Sequence, residues 1–455
     1  MGENMKNYKF PKDFTWGVAA GSYQIEGGWK EDGKGESIWD RFCHIPGRIK
    51  DGTSGDMACD FYHTYKKDIH MMKELGYENF IYTISWPRVI PEGTGKVNKS
   101  GIAFYRDVLR CLREHNITSY IVLYHWDLPQ KLQERGGWMN RDIVEWFEKY
   151  AQTMYQELGD LVDNWITILE PWVISIMGHF MGVHAPGYQD YSAALTVAHH
   201  LNMAHGAAVK AFRESGLPGE IGIKVNMNKI YPYDSNSVSD QEAAKRKNAE
   251  LNTLFCDPIL KGVYPRDFFS YLEKQGVVLP EIRQGDMELI CQEIDFFGLN
   301  NYNAIYVKDG GKWPLYSTEV TTGKPTLQNG WEYEPECLYE LLMMLQNEYH
   351  PKKILITENG CSSNDWIDDE DGTVTDPNRC IYLKNYLKQI YRSIESGIPI
   401  KGYFVWSLLD NFEWAEGLSV RFGIVHVDYN TLKRTPKSSA YWYSNVIRNH
   451  GFESN

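Results

Sequence analysis

The sequence has no surplus of basic residues, the residues that nucleic acids and anionic membrane surfaces select for. Lysine and arginine total 47 of 455 residues, against 60 aspartates and glutamates, and the formal net charge is −13. This balance argues against nucleic acid or membrane as the partner of the protein. A neutral small molecule is the class of partner that the charge favours.

Motifs that would imply a bound group or a leader segment are also missing. The eight cysteines are scattered with no Cys-x-x-Cys pair, and the chain has no phosphate-binding glycine loop, dinucleotide motif or His-Glu-x-x-His pattern. We therefore predict neither a cofactor nor a metal site. Residues 1–14 contain no apolar leader segment, and scattered thiols are typical of a reducing compartment, so we expect a cytoplasmic protein. Whether it forms a homo-oligomer is left open.

One apolar stretch is long enough to imitate a membrane span. Residues 165–183 are almost uniformly apolar, but Glu170 and Pro171 interrupt them near their start. A buried strand, Trp165–Leu169, followed by a helix that begins at Pro171 explains the pattern better, because proline suits a first helical turn. Glu170 is then left at the junction between strand and helix.

Short apolar runs alternate with longer amphipathic segments along the whole chain, and no linker divides it. Eight strands separated by helices favour a closed parallel (β/α)8 barrel over an open sheet. We predict one α/β domain over residues 1–455, with enlarged strand-to-helix loops. The predicted strands are Phe14–Ala19, Phe80–Ser85, Ser119–Leu123, Trp165–Leu169, Ile221–Val225, Phe296–Leu299, Ile354–Thr357 and Tyr403–Trp406. The predicted helices include Phe61–Leu75, Ile102–His115, Ile143–Leu158, Ala193–Ser215, Leu338–Glu348 and Ile381–Ser396.

Polar and aromatic residues follow the predicted strands at the ends where such a barrel forms its active site. Two are glutamates, Glu170 after the fourth strand and Glu358 after the seventh. A single glutamate there fits a structural ion pair equally well, but two in one barrel mouth suit glycoside hydrolysis. In that reaction one carboxylic acid protonates the leaving oxygen while the other carboxylate attacks the anomeric carbon.

Five motifs make the chain resemble a known family, glycoside hydrolase family one, the β-glucosidases. The resemblance implies a TIM barrel and a retaining β-glycosidase that hydrolyses terminal non-reducing β-D-glucosyl residues by double displacement. Glu170 would be the acid/base, Glu358 the nucleophile, and a small carbohydrate or glycoside the substrate. The motifs are Ser22-Tyr-Gln-Ile-Glu-Gly27, Tyr124-His-Trp-Asp-Leu-Pro129, His184-Ala-Pro-Gly187, Ile356-Thr-Glu-Asn-Gly360 and Trp406-Ser-Leu-Leu-Asp-Asn-Phe-Glu-Trp414.

The resemblance also implies residues that bind the non-reducing sugar. Gln24 and Glu413 would hydrogen-bond its far hydroxyls, and Trp414 would support the same region. His125 and Trp126 would line the floor, with His125 reaching the 3-hydroxyl.

Further implied residues lie nearer to the reacting bond. Trp406 would stack on the face of the sugar, and Trp172 would border the aglycone. Asn300 and Tyr302 would lie beside the carboxylates, with the Tyr302 hydroxyl bonded to Glu358.

The chain departs from the family pattern at four positions. Leu169 replaces an asparagine that ordinarily binds the sugar 2-hydroxyl, and Ile81 stands where the second strand usually carries an arginine beside the nucleophile. Asn301 and Leu418 each replace a tyrosine. Because the first two changes remove polar groups, we expect weak discrimination at C2, unless a side chain such as Tyr82 or Asn301 restores both contacts.

Two alternatives to an ordinary β-glucosidase follow from these departures. The first is a β-glycosidase or transglycosylase of altered C2 specificity, and the second is a non-catalytic carbohydrate-binding barrel. The presence of both Glu170 and Glu358 favours an enzyme. A binding protein has no need of an acid opposite a nucleophile.

Overall fold

A closed barrel of eight parallel strands forms the centre of the computed structural model, which describes residues 7–368 and 370–453. Each strand pairs with its neighbours in chain order, and β8 closes the barrel on β1 with Trp406 opposite Ala19. This confirms the predicted (β/α)8 barrel. In chain order the strands are β1 Thr15–Ala20, β2 Asn79–Thr83, β3 Thr118–Tyr124, β4 Asn164–Leu169, β5 Glu220–Asn226, β6 Phe296–Asn300, β7 Ile354–Asn359 and β8 Ile400–Trp406.

Helices surround the barrel, and the six predicted ones are present with their ends within a few residues. The longer helices are α1 Phe61–Glu74, α2 Lys99–Glu114, α3 Ile143–Leu158, α4 Tyr191–Ser215, α5 Val238–Asn248, α6 Leu254–Lys261, α7 Arg266–Lys274, α8 Glu336–Tyr349, α9 Pro377–Glu395 and α10 Ser438–Asn449. Short helical segments lie at Ser22–Ile25, Ile38–Cys43, Trp86–Val89, Gln130–Gln133, Val173–Met181 and Asp286–Ile290.

The barrel strands are buried on both faces, which explains why the sequence shows them as apolar runs rather than as alternating patterns. All six residues of β7 are buried, for example. The interior is closely packed: a Cβ added at Gly222 of β5 would lie 2.5 Å from the Phe296 carbonyl oxygen. Only glycine therefore fits at this position between β5 and β6.

The chain beyond a minimal barrel lies mostly in strand-to-helix loops, which carry small sheets of their own. Lys229–Pro232, Ala304–Asp309 and Ser317–Val320 form one three-stranded sheet beside the barrel. Three two-stranded sheets pair Asn7–Lys9 with Gly451–Glu453, Trp366–Ile367 with Val374–Thr375, and Val425–Val427 with Arg434–Pro436.

The apolar stretch at residues 165–183 contains β4 and then the helical segment Val173–Met181, in agreement with the strand-and-helix interpretation. Glu170 lies at the junction between the two. No helix in the described part of the chain has the length and apolar character that crossing a membrane requires.

Candidate active site

A pocket of about 350 Å³ lies at the carboxyl ends of the barrel strands. It contains most of the residues that the sequence predicts for the site: Glu170, Glu358, His125, Trp126, Tyr302, Trp406, Glu413 and Trp414. The strands bring these residues together because all eight end at the same rim of the barrel. The pocket therefore combines four carboxyl groups, those of Glu170, Glu358, Glu413 and Glu416, with several aromatic rings.

Three predicted site residues do not line this pocket. Asn300 and Gln24 are fully buried and contact it indirectly, Asn300 through Glu170 and Gln24 through Glu413. Trp172 is half-buried, and its ring lies 5.3 Å from the ammonium of Lys247. Its predicted contact with the aglycone stays a prediction.

Glu170 lies at the end of β4 in an environment that favours its neutral form. Its Oε1 accepts a hydrogen bond of 2.7 Å from the Asn300 side-chain amide. Burial raises its pKa to about 8, with a further contribution from the charge of Glu358, while the Asn300 hydrogen bond and the charge of Lys224 act in the opposite direction. Glu170 is thus mainly protonated at neutral pH, the state that a general acid requires.

Glu358 lies in β7 and contacts two polar groups of its surroundings. The Tyr302 hydroxyl donates a hydrogen bond to Oε2. The ammonium of Lys224, a residue of β5, forms an ion pair of 2.7 Å with Oε1. These two contacts hold the Glu358 carboxylate from both oxygens, as the positioning of a nucleophile requires.

Lys224 is one of the residues of the site that the sequence analysis missed. The substitutes considered there, Tyr82 and Asn301, do not contact the Glu358 carboxylate with their side chains. The Tyr82 hydroxyl donates to Glu26, and the Asn301 amide donates to the Met227 carbonyl oxygen. A lysine within the apolar strand Ile-Gly-Ile-Lys-Val was the available signal, because lysine is almost never fully buried unless it is paired.

Glu413 is a further carboxyl group that lines the pocket. Burial raises the pKa of Glu413 to about 8, with contributions from the charges of Glu358 and Glu170. Gln24 donates a hydrogen bond of 3.4 Å to Glu413 Oε2. Burial and the charge of Lys224 hold the pKa of His125 well below its ordinary value, so His125 is neutral. These groups offer both donors and acceptors to a hydroxylated ligand.

Indole rings form much of the pocket surface. The rings of Trp126 and Trp414 are 4.5 Å apart between centroids, and the Trp126 indole N–H donates 2.8 Å to the Leu169 carbonyl oxygen. Trp331 and Phe422 also line the pocket, with their ring centroids 6.0 Å apart. Trp331 comes from a loop, and nothing in its sequence surroundings predicted a place in the site.

The backbone is in the left-handed region at three pocket residues: φ is 75° at Trp126, 51° at Glu170 and 49° at Trp414. Non-glycine residues adopt this conformation rarely, and it costs conformational energy. Such strain is common where a side chain must be directed into a functional site. Here it turns the three side chains into the same pocket.

No group of three or more histidine, cysteine, aspartate or glutamate side chains in residues 7–368 and 370–453 is arranged to hold a metal ion. The carboxylates of the pocket are instead in contact with amide, phenol and ammonium donors. The site can therefore exchange protons and attack an electrophile with its own side chains.

A barrel with a protonated and an ion-paired glutamate at one mouth has the arrangement of a glycoside hydrolase. The chain belongs to the family described as glycosyl hydrolase family 1, whose model matches residues 6–452. It is 47% identical to beta-glucosidase A of Acetivibrio thermocellus over 98% of this chain and 100% of that protein. It is 49% identical to the 1,4-beta-D-glucan glucohydrolase of Thermotoga neapolitana over 97% of this chain and 99% of that protein.

Solved structures agree with this assignment. The family 1 b-glucosidase from Thermotoga maritima in complex with isofagomine lactam matches with a TM-score of 0.94 and 46% identity, covering 98% of this chain and 100% of that one. The same enzyme in complex with glucoimidazole matches with a TM-score of 0.94 and 47% identity, with 98% and 100% covered. The chain is a glycoside hydrolase with a (β/α)8 barrel.

Proposed function

We propose that this chain is a retaining β-glucosidase that releases terminal non-reducing β-D-glucosyl residues from small glycosides. The observation that carries the proposal is the contrast between Glu170, whose pKa is raised to about 8, and Glu358, which is paired with an ammonium at 2.7 Å. One carboxyl group is prepared to give a proton and the other to attack.

In the first step Glu170 gives its proton to the glycosidic oxygen while Glu358 attacks the anomeric carbon. The bond between that carbon and the leaving oxygen breaks, and the sugar becomes esterified to Glu358. We expect the two carboxyl groups to lie about 5–5.5 Å apart, as retention requires. A separation of about 9 Å with a water between them would indicate inversion instead.

In the second step Glu170 becomes a base toward water. Esterification removes the negative charge of Glu358, which is one cause of the raised pKa of Glu170. The charge of Lys224, which acts to lower that pKa, remains. The pKa of Glu170 is therefore lower in the glycosyl-enzyme than in the free enzyme, so Glu170 is more fully ionised, the state that a general base requires. The water oxygen attacks the anomeric carbon while its proton passes to Glu170, the bond from that carbon to Glu358 breaks, and the β-sugar is released.

The other walls of the pocket would hold the sugar. We assign the far hydroxyls to Glu413, supported by Gln24, and the 3-hydroxyl to His125. The flat face of Trp406 would stack on the sugar ring. Trp331 and the apolar residues around it would contact the aglycone.

The alternatives drawn from the sequence are less well supported. A non-catalytic carbohydrate-binding barrel does not explain why one carboxyl group is held neutral opposite another that is paired with a cation. A shift of the reaction toward altered C2 specificity or glycosyl transfer rested on the polar groups lost at Leu169 and Ile81, and Lys224 supplies to Glu358 the cation that is missing at Ile81.

The test is hydrolysis of a panel of nitrophenyl β-glycosides by the purified protein, with the first-formed anomer followed by proton NMR. We expect the β-glucoside to be among the best substrates and β-glucose to appear before mutarotation. If α-glucose appears first, the retaining mechanism is wrong. If no β-glycoside of the panel is hydrolysed, a binding protein becomes the better explanation.

A further inference from the structure

Lys224 is a buried cation whose polar contact is with the active site. It lies in β5 with its side chain fully buried, and its Nζ is 2.7 Å from Glu358 Oε1. Apart from this ion pair, Nζ has no hydrogen-bond partner among the described residues. Burying an ammonium is costly unless a partner compensates, so a contribution to folding alone is a poor explanation for a lysine here.

The strand register shows how Lys224 reaches this place. Lys224 is directly paired with Leu169 of β4, and its carbonyl oxygen accepts a hydrogen bond of 2.7 Å from the Glu170 backbone N–H. Leu169 has no polar group to compete for the ammonium. The side chain of Lys224 can therefore extend from β5 past β6 to Glu358 in β7. Its Nζ lies 5.7 Å from the centre of the Trp406 ring.

The position on β2 that could carry a competing cation is apolar. Ile81 is fully buried there, and its neighbour Tyr82 is hydrogen-bonded to Glu26. The family pattern places an arginine beside the nucleophile at the position of Ile81, so this chain has lost a cation on β2 and has one on β5. The two positions lie on different strands of the same barrel.

We propose that Lys224 is the positioning residue of the nucleophile: its ammonium, carried on β5, holds the Glu358 carboxylate oriented toward the anomeric carbon in place of a cation from β2. This inference rests on the proposed glycosidase function and deepens it. Lys224 is buried beneath the pocket and acts through Glu358 rather than by touching the sugar.

The charges that face this pair come from several elements. Burial lowers the pKa of Lys224, while Glu358 in β7 and Glu170 at the end of β4 act in the opposite direction. His125 after β3 is neutral, and Tyr302 after β6 keeps its proton because burial and the two carboxylates raise its pKa. The groups near Glu358 whose shifted pKa values affect the local charge are therefore Lys224, Glu170 and Glu413.

The experiment compares Lys224→Met, Lys224→Arg and the double variant Lys224→Met/Ile81→Arg with the wild type. Initial rates on nitrophenyl β-glucoside are measured from pH 4 to 10. We expect Lys224→Met to lower kcat by about 10- to 100-fold, the effect of losing one charged contact, with a much smaller change in KM. The acid limb of the kcat/KM profile, where activity falls as the pH is lowered, should move to higher pH. Lys224→Arg and the double variant should each recover a large part of the rate and return the limb toward its original position.

The matched control is Lys247→Met, which removes another buried lysine whose ion pairs are with Glu250 and Glu319. This variant should leave the acid limb in place even if it lowers the melting temperature. Should Lys224→Met not fold, Lys224→Gln, which keeps a hydrogen-bond donor without the charge, provides the same measurement.

Two results separate failure of this inference from failure of the proposed function. If the wild type does not hydrolyse β-glucosides, the proposed function itself fails. If the wild type does so and the folded Lys224→Met or Lys224→Gln protein keeps its kcat and its acid limb, Lys224 does not position the nucleophile. The inference is also overturned if Ile81→Arg brings no recovery and Lys224→Arg is as slow as Lys224→Met.

Discussion

Among the buried ion pairs at the carboxyl end of this barrel, two have very different surroundings. In the first, Glu26 Oε2 accepts a hydrogen bond of 2.8 Å from Arg88 Nε. Its other oxygen accepts from the hydroxyls of Tyr82, at 2.5 Å, and Tyr105, at 2.7 Å. Arg88 also donates a hydrogen bond of 2.9 Å to the Gly27 carbonyl oxygen. Most of the polar atoms of this pair are satisfied.

The second pair, Lys224 with Glu358, has far fewer partners. Among the described residues, Glu358 Oε1 has no polar partner except the ammonium of Lys224, and the ammonium has no hydrogen-bond partner beyond this ion pair. A saturated network stabilises the fold and resists rearrangement. An unsaturated pair leaves a carboxylate oxygen that can form a new bond. The comparison indicates that the same barrel uses one buried ion pair for structure and the other for chemistry.

The largest effect is expected from Glu358→Ala. Removing the nucleophile should lower kcat by at least about 10⁴-fold, because the remaining groups cannot form the glycosyl-enzyme. Added azide or formate should restore part of the rate and give an α-product, which NMR identifies. The melting temperature should stay close to that of the wild type, because an unpaired Lys224 can release its proton. A rescued product of β configuration would contradict the assignment of Glu358.

Glu170→Ala should have the next largest effect, and the effect should depend on the leaving group. An alkyl β-glucoside needs a proton on its leaving oxygen and should lose about 10²- to 10⁴-fold in kcat/KM. A dinitrophenyl β-glucoside needs no such proton for the first step and should lose much less. Steady-state kinetics on both substrates test this expectation. Equal losses on the two substrates would show that Glu170 is not the acid.

Arg88→Met tests the ion pair of Arg88 with Glu26, to which the comparison assigns a structural role. It leaves Glu26 buried without its cation, so the free energy of unfolding should fall by about 3–5 kcal/mol. Urea unfolding measures this change, and kcat of the folded protein should alter little. The control is Arg41→Met, which breaks an ion pair with Glu36 whose side chains are 48% and 40% exposed and should cost less than about 1 kcal/mol. If the two variants lose similar amounts of unfolding free energy, the buried pair of Arg88 and Glu26 does not have the structural role assigned to it.

The pH dependence of kcat/KM should show a basic limb near pH 8. The acid must be protonated to act, and burial raises the pKa of Glu170 to about 8, so activity is lost as pH rises through that value. Glu413 has a similar pKa. Glu413→Gln, which cannot titrate, distinguishes Glu170 from Glu413 as the origin of the basic limb. We expect the basic limb to persist in this variant, although the rate is lower. A limb that disappears would assign the titration to Glu413.

The smallest effect is expected from Leu169→Asn, which adds an amide beside Lys224. We expect the wild type to prefer a glucoside over the matched 2-deoxyglucoside by less than about 10³-fold in kcat/KM, because Leu169 offers no hydrogen bond to the 2-hydroxyl. The variant should increase this preference by up to about 10-fold, the effect of one hydrogen bond. If the wild type already discriminates by 10³-fold or more, weak selection at C2 is wrong.

The barrel could be predicted from the sequence because each strand is a short apolar run with an amphipathic helix after it. Parallel strands in a closed barrel all end at one rim. Placing Glu170 and Glu358 after the fourth and seventh strands was therefore enough to predict that they share a pocket. The structure contains both in that pocket.

Contacts between strands that are distant in the sequence could not be predicted in the same way. Lys224 reaches Glu358 only because β5 and β7 both border β6, and the direction of its side chain depends on how the barrel closes. Trp172 was placed beside the aglycone from the resemblance alone; its ring lies 5.3 Å from the ammonium of Lys247, and its place beside the aglycone stays a prediction. Trp331 comes from a loop, where no periodic pattern indicates which side chains point inward.

The indole rings around the pocket also give it an optical property. Trp126, Trp406 and Trp414 line the space where a sugar would bind, and two of these rings are 4.5 Å apart. A ligand that displaces water from them should alter their fluorescence emission, although other tryptophans in the chain contribute a constant background. Binding could then be titrated without a chromogenic substrate, even in a protein that lacks its nucleophile. Affinity for each sugar would become measurable separately from turnover.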